Sequence, residues 1–115
     1  MLSTVYSAGL FGIDGFVVTV EVDARPNLPC FELVGLPDMA VKEAKERVRT
    51  ACANSGFRFP EMALLVNLAP ADRRKEGSGF DLPIAVAILA ATDQVVVESL
   101  DDAFFLGELS LDGSV

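Results

Sequence analysis

The sequence predicts an α/β (α+β) fold, with a mixed β-sheet and two principal helices, on three observations. Residues 16–24 alternate apolar and polar side chains, which is the period of a strand with one solvated face. Residues 39–55 carry apolar side chains on one helical face, and residues 82–91 are almost wholly apolar, as in a buried helix. A chain of 115 residues is long enough for one core, so we expect a single domain over residues 1–115.

The N-terminal part of the chain predicts a β-hairpin. One strand covers residues 3–11, a turn lies at residues 13–15, and the return strand covers residues 16–24. The pair Asp14-Gly15 is favoured in tight hairpin turns, which need backbone angles that these residues adopt readily. The return strand is expected to direct three side chains into the core: Val18, Val20 and Val22.

A third strand and the first principal helix come next. Cys30–Val34 is a short strand, and Asp38 is a natural N-cap for a helix over residues 39–55, which Gly56 ends. The buried face of this helix is predicted to hold Val41, Ala44, Val48, Ala51 and Cys52. Its outer face is predicted to be solvated and linked by ion pairs, with a nucleic-acid surface as the alternative: Lys42, Glu43, Lys45, Glu46, Arg47 and Arg49.

The central stretch of the chain is a buried strand, a charged glycine loop and an apolar helix. The strand covers residues 62–69, and Pro70 ends it because proline has no N–H to give to a ladder. Asp81 is predicted to cap the helix over residues 82–91 through its carboxylate, and Pro83 suits the first helical turn. Any function that belongs to the domain itself is therefore expected in the loop.

The end of the sequence predicts one more strand and a chain that continues. The apolar helix should end near Asp93, before a valine run at residues 95–97 and an acidic connector at residues 98–102. Residues 103–111 predict a last strand, and Asp112-Gly113 predicts a hairpin turn. No return strand follows this turn, so we expect a fragment of a longer protein.

Composition excludes several kinds of site. The chain has no histidine, which removes a Ser-His-Asp triad, a Cys-His pair and the usual zinc sites. Cys30 and Cys52 are expected to be reduced core thiols. No apolar run is long enough to span a bilayer, and the first residues lack the basic start of a signal peptide. We expect a cytoplasmic protein with no membrane partner and no metal site.

Charge is unevenly distributed along the chain. The net charge is −8, but eight basic and four acidic residues lie between Lys42 and Lys75, giving that segment +4. The sharpest cluster is Arg73, Arg74 and Lys75, which can contact acids of a neighbouring domain or subunit, DNA phosphates, or solvent alone. Two helix residues join the contact candidates: Lys45 and Arg49.

The loop after this cluster offers little chemistry of its own. Gly77, Ser78, Gly79 and Asp81 are expected to shape the loop and the start of the helix. A phosphate site is the less favoured hypothesis for this loop, because the P-loop pattern is absent. Ser78 would need Lys75 as its base to act as a nucleophile. No catalytic residue is therefore assigned.

Four segments, in order and covering nearly the whole chain, closely resemble the N-terminal domain of the YifB/ComM family of magnesium-chelatase-like AAA+ ATPases. They are YSAGLFGIDGFVVTVEVD, FELVGLPDMAVKEAKERVRTACANSGF, VNLAPADRRKEGSGFDLPIAVAILAA and FLGELSLDGS. The resemblance implies a fold of the ribosomal protein S-five domain 2 type, similar to the Lon proteolytic domain. It also implies that this domain is non-catalytic and binds no cofactor, and that a separate AAA+ module binds ATP and magnesium.

The resemblance further implies a homo-hexameric longer protein similar to the ComM helicase, which drives DNA branch migration in natural transformation. The domain would then contact DNA or help the ring to assemble. One alternative is a Lon-like Ser/Lys hydrolase remnant, although Gly79 rather than Ser78 falls at the serine position of that pattern. The other is a component of a metal-chelatase ATPase.

Overall fold

A computed structural model of the chain describes residues 1–11, 14–95 and 103–115. The elements in chain order are β1 (Leu2–Phe11), β2 (Asp14–Arg25), β3 (Cys30–Val34), α1 (Met39–Lys42), α2 (Ala44–Asn54), β4 (Ala63–Ala69) and α3 (Asp81–Ala91). Four strands form one sheet in the order β1-β2-β4-β3. β1 pairs antiparallel with β2, β2 antiparallel with β4, and β3 parallel with β4. The predicted mixed sheet with two main helices is confirmed.

The core lies on one face of the sheet, under the helices. α3 packs against β1 and β2, and α2 packs against α3. Strand register places buried residues opposite one another, as in the pairs Val20 with Leu68 and Val22 with Val66. α3 is buried on most sides, which explains why its sequence is apolar nearly all round. The five residues predicted for the buried face of the first helix are all buried: Val41, Ala44, Val48, Ala51 and Cys52.

The hairpin forms as predicted, but its turn is placed differently. The ladder between β1 and β2 continues to the pair Phe11 with Asp14, so Asp14 and Gly15 belong to β2 rather than to the turn. The predicted turn at residues 13–15 is therefore wrong for those two residues. The connection between the strands consists of residues 12–13, which lie outside the described residues.

The first principal helix is interrupted at Glu43. Asp38 caps α1 as predicted, since its Oδ1 accepts the Val41 N–H at 2.8 Å. The Glu46 N–H then bonds to the Glu43 carbonyl, three residues earlier, at 3.2 Å. This is a tighter turn than an α-helix makes, so the predicted helix over residues 39–55 divides into α1 and α2. Gly56 follows the end of α2 with φ +87°, as its predicted role requires.

The C-terminal predictions are confirmed only in part. α3 ends at Ala91 rather than near Asp93, which adopts φ 57°. Residues 103–111 do not form the predicted strand: in the described part they make one bridge, Phe104 with Tyr6 of β1. The chain then leaves the sheet, because the Gly107 N–H bonds to the Gly79 carbonyl at 2.8 Å. The valine run is described only at its first residue, and the acidic connector at residues 98–102 lies outside the described ranges.

The predicted turn at Asp112-Gly113 is present. The Gly113 N–H bonds to the Ser110 carbonyl at 2.9 Å, and Gly113 has φ +95°. Among the same described residues, no helix has the length and hydrophobicity that a membrane crossing needs.

Candidate functional site

The loop between β4 and α3 is fixed by a buried lysine. Lys75 is 1% exposed, and its Nζ donates hydrogen bonds to the carbonyls of Gly35, at 2.8 Å, and of Pro70. Its backbone N–H bonds to the Leu36 carbonyl at 3.0 Å, and its carbonyl accepts the Asp38 N–H at 2.9 Å. Lys75 therefore joins the turn after β3 to the turn after β4.

The environment of Lys75 also explains its electrostatics. Burial lowers the pKa of its ammonium, and the nearby carboxylate of Asp72 partly opposes that shift. The two carbonyl acceptors satisfy a charge that would otherwise be costly to bury. Because the Nζ faces backbone oxygens rather than solvent, the geometry gives Lys75 a role in holding the loop and does not place it for the predicted contact with a partner.

Glycine is required at position 35, in the turn after β3, where the carbonyl accepts the Lys75 hydrogen bond. Gly35 has φ +108°, and a Cβ at this position would lie 2.1 Å from the Leu68 carbonyl oxygen. The next residue, Leu36, has φ 57° although it is not a glycine, and its side chain is 52% exposed. A bulky residue held in the left-handed region is uncommon in proteins and is often found at functional sites.

Arg73 and Arg74 are oriented differently from Lys75. The Arg74 side chain is 68% exposed and forms a loose ion pair with Glu76 at 3.5 Å. Arg74 also lines a surface depression with Leu36 and Pro37. The Arg73 guanidinium lies 5.3 Å from the centre of the Phe16 ring on β2, in a cation–π contact. These two arginines are the cations of the predicted cluster that reach the surface.

The structure does not gather the five predicted contact residues into one patch. Arg49 stacks over the Phe59 ring at 4.8 Å, and Phe59 stacks in turn on Phe31 of β3. β3 is at one edge of the sheet, two strands from the β2 residue that Arg73 contacts. Lys45, one helical turn before Arg49, is half-buried. The helix cations and the loop cations are thus separate groups.

The glycine loop is a connector whose backbone is tied to the segments around it. The Gly77 N–H bonds to Asp38 Oδ2 at 3.2 Å, and the Gly79 carbonyl accepts the Gly107 N–H. The Ser78 carbonyl accepts the Asp81 N–H at 3.3 Å. Both hydrogen bonds recorded for Lys75 Nζ go to backbone carbonyls and neither goes to Ser78. The geometry therefore supports loop shaping and lends no support to a phosphate cradle or a Ser/Lys pair.

Sequence reasoning missed an ion pair at the start of α3. Asp81 is fully buried, and its Oδ2 and Oδ1 accept hydrogen bonds from Arg47 Nε at 2.6 Å and Nη2 at 3.0 Å. Asp81 Oδ2 also accepts the Leu109 N–H at 3.0 Å. The predicted capping role of Asp81 is wrong, since the N-cap position is Phe80 and no side chain caps the helix.

The prediction for Arg47 is wrong as well, because its side chain turns inward from the predicted solvated face of the helix. The hydrogen bonding that Arg47 donates to the Asp81 carboxylate is the largest of the contributions that raise the pKa of Arg47. Arg47 Nη2 also donates to the Ala40 carbonyl at 2.9 Å. The sequence did contain a signal, since Asp81 stands directly before an apolar helix. An acid buried there needs a cation as its partner.

A metal centre is not indicated in the described parts of the chain. No group of three or more acidic or thiol side chains there is arranged to hold an ion. Cys30 is exposed rather than in the core as predicted, whereas Cys52 is a free, buried thiol.

Comparison with known proteins places this architecture in a family. The family described as "Subunit ChlI of Mg-chelatase" matches residues 20–115. The chain is 46% identical to the uncharacterized protein YifB of Escherichia coli and 48% identical to the competence protein ComM of Haemophilus influenzae, over 99% of its own length. An uncharacterized protein of Mycobacterium bovis is 42% identical over the same share.

These relatives are much longer than the chain. It spans 22% of the YifB and ComM sequences and 23% of the mycobacterial one. The chain therefore belongs to the magnesium-chelatase ChlI family, as an N-terminal domain of the YifB and ComM kind.

Proposed function

We propose that this chain is a non-catalytic, cytoplasmic accessory domain of a longer magnesium-chelatase-like ATPase, and that its loop surface contacts a neighbouring domain or subunit. The loop surface is formed by Arg74 with Leu36 and Pro37. In the longer protein a separate module binds ATP and magnesium, and the assembly is a homo-hexamer. The family match and the relatives' greater length support this proposal.

One observation carries the choice of partner: Arg74 is exposed beside exposed apolar side chains. Leu36 lines the same depression as Arg74 and is largely exposed, as is Met39 two residues after Pro37. Arginine and methionine are enriched at protein–protein interfaces, and arginine is among the residues that contribute most to binding there. The left-handed backbone of Leu36 presents its side chain outward, which supports the same use.

The charge of the loop supports a protein partner over a nucleic acid. Lys75 is buried, so the exposed charges near Arg73 and Arg74 are balanced by Asp72 and Glu76. A surface that binds a phosphate backbone needs an excess of cations. A surface that carries both signs of charge, with exposed apolar side chains beside them, suits a contact with a protein.

The experiment is charge reversal in the full-length protein. Arg74→Glu, alone and with Leu36→Asp, is compared with Arg25→Glu, which reverses an exposed arginine paired with Asp23 elsewhere on the domain. Sedimentation velocity with ATP measures assembly. We expect the loop variants to lower the hexamer fraction and ATP hydrolysis, and Arg25→Glu to leave both near the unmodified level. Full assembly by the loop variants would contradict the proposal.

DNA contact is the second candidate, because α2 carries an exposed cation, Arg49, apart from the loop; one relative is named a competence protein. In this case Arg49 and Lys45 of α2 are the contact residues, with the two loop arginines. Loss of one phosphate contact should reduce by about one the slope of log DNA affinity against log salt concentration. The salt dependence of DNA affinity is therefore measured for Arg49→Gln and for the unmodified protein, in samples with the same hexamer fraction. This comparison separates an effect on DNA contact from an effect on assembly.

A further inference from the structure

The two edges of the sheet are built very differently. β3 is a five-residue edge strand with Glu32 at its centre and Pro29 just before it. β1 is a ten-residue edge strand without a charged residue or a proline. Natural proteins protect sheet edges with short strands, charges and prolines, because unpaired backbone groups invite another strand. β3 is protected in this way and β1 is not.

The hydrogen-bond pattern shows which groups of β1 face outward. Met1 and Ala24 exchange backbone hydrogen bonds, of 2.8 Å from the Ala24 N–H and 2.5 Å from the Met1 amino group. In an antiparallel ladder such pairs alternate, so the odd-numbered residues of β1 bond to β2 and the even-numbered ones face away. The contact at Tyr6 agrees, since its carbonyl accepts the Phe105 N–H from outside the sheet at 2.9 Å.

Beyond Tyr6 the outer edge is open. The segment that starts to pair there turns away, and its Gly107 N–H bonds to the Gly79 carbonyl instead of continuing along β1. Within the described ranges, no hydrogen bond is made to the outward N–H and C=O groups of Ala8 and Leu10.

A cavity of about 480 Å³ lies beside these open groups. It separates the end of β1 from the glycine loop, and its apolar and glycine lining consists of Ala8, Gly9, Leu10, Gly77, Gly79, Phe80 and Leu106. Leu10 and Leu106 are both largely exposed. Backbone donors and acceptors along one wall, with apolar side chains around them, are what strand addition requires.

We infer that the outer edge of β1 at Ala8–Leu10 binds an extended, uncharged polypeptide segment, which adds to the sheet as a further strand. The charges of the cavity support this occupant. Arg74 and Glu76 pair with each other, and the two oxygens of Asp38 accept the N–H groups of Val41 and Gly77. Together with Lys75 the lining holds two cations and two anions, so the cavity has no excess of cations for phosphates. A strand bound there would also continue the pairing that Phe105 begins. Arg74 lines both this cavity and the loop surface, but the added strand would bond to the backbone of β1, so the inference does not rest on the loop contact proposed above.

The test uses the full-length protein and a model strand. The probe is a fluorescent peptide of eight alternating valine and threonine residues with a lysine at each end. Its matched control has N-methyl groups on alternate amides, so that it keeps the charge but loses the ladder donors. We expect the probe to bind and the methylated peptide to bind at least tenfold more weakly. Equal binding of both peptides, or no binding of either, would overturn the inference.

Proline substitutions locate the site on the protein. Leu10→Pro removes one outward N–H and no bond to β2, and proline is tolerated at such edge positions. Leu2→Pro is the matched control, since Leu2 faces outward on the same strand but lies outside the cavity. We expect only Leu10→Pro to weaken probe binding, by tenfold or more, with Leu10→Lys as a second blocking variant.

Circular dichroism and thermal unfolding establish that each variant is folded before binding is compared. Equal binding by the Leu10 and Leu2 variants would contradict the assignment of the site. A dimer of the unmodified protein that forms without the probe and disappears with Leu10→Pro would assign the edge to a second copy, and would also overturn the inference.

Discussion

Arg74 and Lys75 are neighbours in the sequence and carry the same charge, yet they occupy opposite environments. The Arg74 side chain is 68% exposed beside an apolar depression, whereas Lys75 is 1% exposed and bonded to the carbonyls of Gly35 and Pro70. The first is available to a partner and the second holds the loop that presents it. A run of basic residues in a sequence is therefore not by itself a basic surface.

The largest effect is expected where a buried charge loses its partner. Asp81→Ala leaves the largely buried Arg47 and the Leu109 N–H without their acceptor. Removal of one partner of a buried pair costs about 3 kcal/mol or more, so urea unfolding should show a loss of that size. The double variant Arg47→Met with Asp81→Leu should recover part of it. A loss below about 1 kcal/mol for Asp81→Ala would show that the pair is not important for stability.

A smaller loss is expected when the buried lysine is replaced. Lys75→Met keeps the length of the side chain but leaves the carbonyls of Gly35 and Pro70 without their charged donor. The expected decrease in the free energy of unfolding is about 2 kcal/mol, measured by urea denaturation. An unchanged midpoint would mean that solvent replaces these bonds, and that Lys75 is not a structural residue.

The same contrast between environments can be tested with the two cysteines. Burial raises the pKa of Cys52 from 9.0 to about 11, while Cys30 is exposed. Between pH 9 and 11 the unfolded chain therefore loses the thiol proton that the folded chain keeps, so stability falls as pH rises. The loss at pH 10 is about 1 kcal/mol.

Denaturation at several alkaline pH values measures this loss of stability in each variant. The difference between two variants cancels the contribution of the other titrating groups. Cys52→Ala should reduce the alkaline loss and Cys30→Ala should keep it. The same slope in both variants would refute the assignment to Cys52.

The smallest effect on stability is expected at Arg74. Its ion pair with Glu76 is exposed and 3.5 Å long, so Arg74→Met should change the free energy of unfolding by less than about 0.5 kcal/mol. Urea denaturation beside Lys75→Met gives the comparison directly. A larger loss for Arg74→Met than for Lys75→Met would reverse the roles assigned to the two residues.

Much of the fold could be predicted because local patterns agree with it. The alternation in β2, the cap at Asp38, the glycine after α2 and the apolar sequence of α3 each report a local environment. The interruption at Glu43 could not be predicted in this way, because no glycine or proline marks it. The prediction of the last strand was wrong because the pairing of that segment depends on the path of the chain around Gly79.

The candidate site was predictable only where residue type decides exposure. Arg74 is exposed, as a charged loop residue usually is. Lys75 and Arg47 are exceptions, because their burial depends on acceptors that come from distant parts of the chain, such as Gly35 and Asp81. No spacing of residues around Lys75 indicates those acceptors, whereas an acid beside an apolar helix does hint at a buried partner for Asp81.

The most direct test of this account is the hexamer fraction of the full-length protein with ATP, measured for Lys75→Met and Arg74→Met at equal folded concentration. The account predicts that Arg74→Met assembles poorly although its stability is nearly unchanged, and that the less stable Lys75→Met, which keeps the contact residue, loses less of its assembly than Arg74→Met. The opposite pattern, or equal assembly by both variants, would contradict the claim that Arg74 makes the contact while Lys75 supports the loop.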